Sequence, residues 1–177
     1  MKIALRLLLA LTVALAVAAC RKDTQPETDT TAPTDTTTDT TDVTTAPALD
    51  PNDYTDARNF DNPESLLNKR VIYFDFDKSD VKPEFRAIVA AHAAYLGANR
   101  SARITLEGHA DERGTREYNL GLGERRGNSV MGLLSAGGGS SSQQDVVSYG
   151  EERPTCRESS ESCWWQNRRV EIVYTAR

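Results

Sequence analysis

Apolar positions in the later part of the chain recur with two different periods, and the alternation between those periods predicts its elements. Val71-Ile72-Tyr73-Phe74-Asp75-Phe76 is a run of branched and aromatic residues that fits a strand. Phe85, Ile88, Val89, His92 and Leu96 share one face at helical spacing, which predicts a helix from near Asp80 to about Leu96. Arg103 to Gly108 alternates as a half-buried strand does, with Ile104 and Leu106 pointing one way. A second long helix is expected from Thr115 to Ala136, although Gly121, Gly123, Gly127 and Gly132 weaken it. The run Gly137-Gly138-Gly139-Ser140-Ser141-Ser142 ends that helix, and Asp145 to Tyr149 and Val170 to Thr175 read as two more strands. Nearer the start, Asn62-Pro63-Glu64 reads as a helix beginning, with Asn62 as cap and Pro63 at the first helical position. Strands alternating with helices imply an α/β (α+β) two-layer sandwich of about four strands and two main helices.

Upstream of Phe60 the pattern changes. Lys2 and Arg6 introduce an apolar run from Leu7 to Val17 that is too short to span a bilayer, so residues 1–19 are expected to be a signal peptide. The run closes on Val17-Ala18-Ala19-Cys20, which resembles the bacterial lipobox; that resemblance implies cleavage and a lipid-bearing Cys20. An ordinary secretory signal beside a chance cysteine is the alternative. The next residue is Arg21 rather than the Asp that favours inner-membrane retention in enterobacterial lipoproteins, which implies the outer membrane. Residues 20–59 are dominated by Thr, Asp, Pro and Ala and are expected to form a disordered tether. Forty such residues have an r.m.s. span of roughly 35 Å and reach about 130 Å when stretched. Residues 60–177 are expected to be the folded domain.

Charge and cysteine content narrow the chemistry. A net charge of -5 and a pI near 5.1 argue against broad nucleic-acid binding, so any anion-recognising site must be local. With Cys20 assigned to the anchor, Cys156 and Cys163 remain, and in an exported chain they are expected to be bonded. The loop of about eight residues they close is worth roughly 2.5 kcal/mol. His92 and His109 are the only histidines, and no H-E-x-x-H or C-x-x-C pattern is present, so neither a metal nor another cofactor is expected.

The densest polar stretch runs from Gly108-His109-Ala110-Asp111-Glu112-Arg113-Gly114-Thr115 through Asn119 to Glu124-Arg125-Arg126, across a strand-to-helix junction where α/β folds commonly bind ligands. Asp111 sits at the helix approach, where backbone N–H groups hold a carboxylate in place; capping alone would also account for it. Asn119, Leu122 and Arg126, at i, i+3 and i+7, share a helix face. A carboxylate at the loop and a guanidinium two turns into the helix can clamp a zwitterion, with Asp111 taking an ammonium and the arginine a carboxylate. Spacing does not choose between Arg125 and Arg126. His92 reads as a packing residue. Trp164 and Trp165 read either as core and cover of a stapled loop or as a stacking surface.

The run GHADERGTREYNLGLGERR resembles the signature of the outer-membrane-protein-A C-terminal family. VIYFDFDKSDVKPEF, VVSYGEERP and NRRVEIVY are similar to its peptidoglycan-associated lipoprotein (Pal) branch, so the resemblance covers about Val71 to Tyr174. It implies the fold of that family and non-covalent, non-enzymatic binding of diaminopimelate in the peptide stems of peptidoglycan. Asp111 matches the ammonium-binding aspartate and Arg126 the carboxylate-binding arginine. Phe76 and Asp77 match first-loop pocket residues, and Arg113, Asn119 and Leu122 match further pocket positions. The branch also implies an outer-membrane lipoprotein facing the periplasm, a TolB-like partner and a role in envelope integrity and division. Two departures from the branch's pattern, at Ala136–Gln144 and Cys156–Trp165, bear on local loop structure and partner contacts more than on the binding site. The competing readings are a wall-binding lipoprotein without a TolB-type partner, and a hydrolase using Asp111 with Asp77 or Glu112.

Overall fold

Ile72, Ile104, Leu106, Val170 and Ile172 are buried and face one side of a four-stranded sheet, because strand side chains alternate and only one face is covered by helices. The computed structural model describes residues 48–177. The expected signal peptide, Cys20 and most of the linker lie outside the described residues. The strands are β1 (Val71–Tyr73), β2 (Arg103–His109), β3 (Gln144–Gly150) and β4 (Arg169–Ala176), in the order β1-β4-β2-β3. β4 runs antiparallel to both neighbours, while β2 and β3 are parallel, with Leu106 level with Val146 and with Ile172. A parallel pair needs a crossover, and the long helix α2 (Arg116–Ala136) supplies it.

Helix α1 (Arg86–Ala98) buries Ile88, Val89, His92, Tyr95 and Leu96 against that sheet. Phe60 seals the layer edge-on to Tyr95 and Tyr174, with ring centroids 4.7 and 4.5 Å apart. The fold is thus an α+β two-layer sandwich, with a third, short helix α3 (Glu161–Asn167) that hydrophobic periodicity does not announce.

Several boundaries differ from the sequence reading for identifiable reasons. Ordered chain begins before Phe60. Asn59 is buried and donates to the carbonyls of Asp50 and Asp53, so the last residues of the expected linker pack on the domain. Asn62 accepts from the Glu64 N–H, but only a turn follows, and Ser65 caps a single 3-10 turn over Leu66–Asn68. β1 stops at Tyr73, where the Phe74 N–H turns to the Arg168 carbonyl. The helix expected from Asp80 starts as a 3-10 turn at Pro83–Phe85 and becomes α-helical only at Arg86. After α2, Ser140 caps another 3-10 turn, whose buried Gln143 donates to the carbonyls of Leu96, Asn99 and Ala102 and so terminates α1.

Two of the four glycines of α2, Gly123 and Gly127, lie against the sheet. A β-carbon on Gly123 would stand 2.3 Å from the Ser148 hydroxyl and 2.8 Å from the Gly108 carbonyl, and one on Gly127 would stand 2.5 Å from Val146. What these residues cost in helix propensity is offset by backbone-to-backbone approach. That approach lays the Asn119–Arg126 face over the end of β2, where the polar loop begins.

Candidate functional site

Phe76, Asp77, Asp111, Arg113, Asn119, Leu122 and Arg126 line a single cleft of about 190 Å³, joined there by Gly114 and Tyr118. Three segments build it: the turn after β1, the loop between β2 and α2, and the buried face of α2. Thr115 caps α2 through the Tyr118 N–H, which fixes where the loop ends and the helix begins.

Arg126 is fully buried. Its guanidinium donates to three main-chain carbonyls: Nε to Lys78 at 2.8 Å, Nη1 to His109 at 2.7 Å and Nη2 to Asp75 at 3.0 Å. Three of the five N–H groups are thereby used and two remain. Among the described residues no carboxylate lies within ion-pair distance of it. Burial pulls its pKa down to about 10, so it stays a cation at neutral pH. Arg125, its neighbour, is exposed and lies over the Tyr118 ring at 5.4 Å.

Asp111 is 4% exposed and its carboxylate is fully bonded. Arg113 donates from its backbone N–H at 3.1 Å and grips both oxygens through Nε at 3.2 Å and Nη2 at 2.7 Å, while Arg168 donates at 3.2 Å. Burial alone would raise the pKa of this carboxyl, but these guanidinium bonds outweigh burial and hold it below the ordinary carboxylate range. Arg113 in turn is sandwiched between Phe76 and Trp164, with its charged carbon 3.9 and 4.1 Å from the two ring centres. Arg168, itself buried, also donates to the Phe74 carbonyl and to Glu161 at 2.5 Å.

Phe76 and Tyr118 stand exposed at the mouth. Asp77 adopts a left-handed backbone with φ 56° and accepts from the Tyr118 hydroxyl, linking the first loop to α2. Asn119 is buried and donates to the Arg113 carbonyl and to Glu151, so it shapes the loop. Glu112 points away to accept from the Trp164 indole at 3.0 Å. His92 is packed in the core between Tyr174 and the Lys69 carbonyl. Cys156 and Cys163 are joined by a disulfide. Tyr118 and Arg168 are site residues that sequence reasoning left unassigned, and Trp164, read there as core, cover or stacking surface, stacks on Arg113. Arg168 lies inside the NRRVEIVY motif, but no spacing rule links it to an aspartate 57 positions earlier.

Comparison with known proteins agrees with this architecture. The pattern of the OmpA family matches residues 73–168. The peptidoglycan-associated lipoprotein of Pseudomonas putida is 52% identical over 100 residues, which are 56% of this chain and 60% of that protein. Its Haemophilus influenzae counterpart is 45% identical over 103 residues, covering 58% of this chain and 67% of the relative. This chain therefore spans about three fifths of the Pseudomonas relative it matches. The crystal structure of the peptidoglycan-associated lipoprotein from Burkholderia pseudomallei superposes with a TM-score of 0.64 at 41% identity, covering 66% of this chain and 98% of that one.

Proposed function

Since this chain belongs to the OmpA family, alongside its peptidoglycan-associated lipoproteins, we propose that the cleft binds the diaminopimelate residue of peptidoglycan stems without cleaving them. The observation that carries this reading is Arg126, a buried cation held rigid by three carbonyls, with two N–H groups to spare and no carboxylate beside it among the described residues. A buried charge without a counterion is costly, and a ligand carboxylate arriving in the cleft relieves that cost through a charge-assisted bond. Asp111 takes the ligand's ammonium.

Because its four lone-pair positions already serve Arg113 and Arg168, the ammonium must displace one of them. Arg113, the more exposed of the two, yields. Still stacked on Phe76 and Trp164, it then offers its N–H groups to the ligand's peptide. A carboxyl held ionised by guanidinium groups suits cation binding and not proton donation, which favours a binding protein over a hydrolase.

On this reading the chain is a lipoprotein anchored in the outer membrane through Cys20, its domain facing the periplasm and tethering the membrane to the wall. A TolB-like partner and a part in envelope integrity and division extend the same proposal from the similarity to the lipoproteins above. The test is titration of the full chain in detergent with a diaminopimelate muropeptide beside its lysine counterpart, which keeps the amine and lacks the second carboxylate. Selective binding of the diaminopimelate form is expected; no binding by a demonstrably folded chain overturns the reading.

A further inference from the structure

Helix α3 reaches the cleft from outside the segments that line it, and its position depends on a covalent staple. At seven residues it is too short to persist by its own hydrogen bonds. The Cys156–Cys163 disulfide ties it to the preceding loop. Asn167, at its end, accepts from the Thr155 and Cys156 N–H groups and donates to the Cys156 carbonyl. From this platform four contacts run to the Asp111 cluster. Trp164 lays its ring on Arg113 and bonds Glu112, and Glu161 pairs with Arg168 and stands 3.6 Å from Arg113.

We propose that α3, set in place by the Cys156–Cys163 disulfide, is a positioning element of the cleft, and that Trp164 holds Arg113 where the ligand meets it. This rests on the wall-binding reading of the same cleft. When an ammonium takes the Asp111 carboxylate, the freed guanidinium would swing into solvent unless both aromatic faces retain it. Phe76 supplies one face and Trp164 the other.

Trp164 and Trp165 are the only tryptophans of the chain, so intrinsic fluorescence reports on α3 directly. The experiment titrates the full chain with the diaminopimelate muropeptide before and after treatment with dithiothreitol. That reagent is oxidised to its cyclic disulfide while Cys156 and Cys163 take up two electrons and two protons, verified by the gain of two titratable thiols. The expected result is a shifted tryptophan emission and about fivefold weaker binding, the worth of the hydrogen bond that Arg113 gives the ligand when it is held in place. Trp164→Ala, with the disulfide intact, should lose affinity to the same degree without a matching fall in melting temperature. Trp164→Phe, which keeps the aromatic face, should restore it.

Equal affinity in the oxidised and reduced chains, or wild-type affinity in Trp164→Ala, overturns the inference. If reduction abolishes cooperative melting, the Trp164 pair decides alone. An oxidised wild-type chain that binds no muropeptide sinks the wall-binding reading, and this inference with it. Insensitivity to reduction and to Trp164→Ala in a chain that binds sinks this inference only.

Discussion

Arg126 donates through Nη1 to the main-chain carbonyl of His109 across 2.7 Å, so the cation on α2 is fixed to the strand end that leads, two residues later, to Asp111. One bond thereby sets both charges of the proposed clamp. The other two carbonyls, of Asp75 and Lys78, bring in the first loop. The guanidinium is at once a structural bolt and a ligand group, and its two roles separate experimentally.

Arg126→Gln is expected to weaken diaminopimelate muropeptide binding by about 2–5 kcal/mol and to bring the preference over the lysine form close to unity. It also leaves carbonyls of Asp75, Lys78 and His109 without donors, so urea unfolding should register a loss of about 2–3 kcal/mol. Calorimetric titration of both muropeptides with the folded variant checks the first part. Retained selectivity would mean that Arg126 does not read the second carboxylate.

Asp111 and Arg113 should respond unequally although they bond each other. Asp111→Asn removes the only charge assigned to the ammonium and leaves that cation without its partner, while Arg168 keeps Glu161, so binding should fall by about 2–5 kcal/mol. Arg113→Gln removes a ligand contact but also vacates lone pairs on Asp111, so its net cost should stay within about 1 kcal/mol. Titration of the two variants side by side decides; a larger loss in Arg113→Gln than in Asp111→Asn would contradict the exchange.

The parts of this site that are legible in the sequence are the local ones. Asn119, Leu122 and Arg126 share a helix face by arithmetic, and Asp111 precedes a helix cap that Thr115 announces. Choosing Arg126 over Arg125 needed the family resemblance, because helical period puts neither residue nearer the cleft by enough to decide. The occupation of Asp111 by Arg113 and Arg168 was not legible, since it depends on where the start of β4 falls beside the end of β2. The Asn62 helix start misled because a good cap needs an apolar face behind it, and there the chain makes only turns; the start near Asp80 is displaced to Pro83 and beyond because the proline holds Lys82 extended. Gly123 and Gly127 read as weak points in a helix when they are its contact with the sheet, a distinction that periodicity does not contain.

That contact predicts opposite outcomes for the same substitution on one helix. Gly123→Ala would drive a methyl into the Gly108 carbonyl and the Ser148 hydroxyl, and should destabilise by about 1–3 kcal/mol. Gly132→Ala meets nothing within 4 Å and should stabilise by up to about 1 kcal/mol through helix propensity. Urea unfolding of the two variants measures both. A neutral Gly123→Ala would mean that α2 can retreat from the sheet, and muropeptide affinity should then drop with it.

Acid should act on this fold through its two histidines before it reaches the clamp. His92 and His109 are buried, and burial pulls both down to about 4 from 6.5, with the Arg169 charge adding to the effect at His109. Each ring is therefore held neutral in the fold, and the unfolded chain takes up a proton first as pH falls. The stability this represents is complete above about pH 6.5 and is lost progressively as pH falls toward 4, on the order of 3 kcal/mol per ring at the lower limit. Among the described residues His109 has no hydrogen-bond partner on either ring nitrogen, and its Nε2 lies 3.9 Å from the Glu171 carboxylate, whereas His92 is bonded at both. Asp111 carries the same sign in a lower window: held ionised in the fold, it contributes stability that is complete above its ordinary range, near 3.8, and is lost only as pH falls below it. Melting temperature followed from pH 7.5 to 4.5 should fall through the histidine window, and His109→Gln should flatten part of the slope. A profile that stays level to pH 4.5 would mean that neither ring is shielded from water as its burial requires.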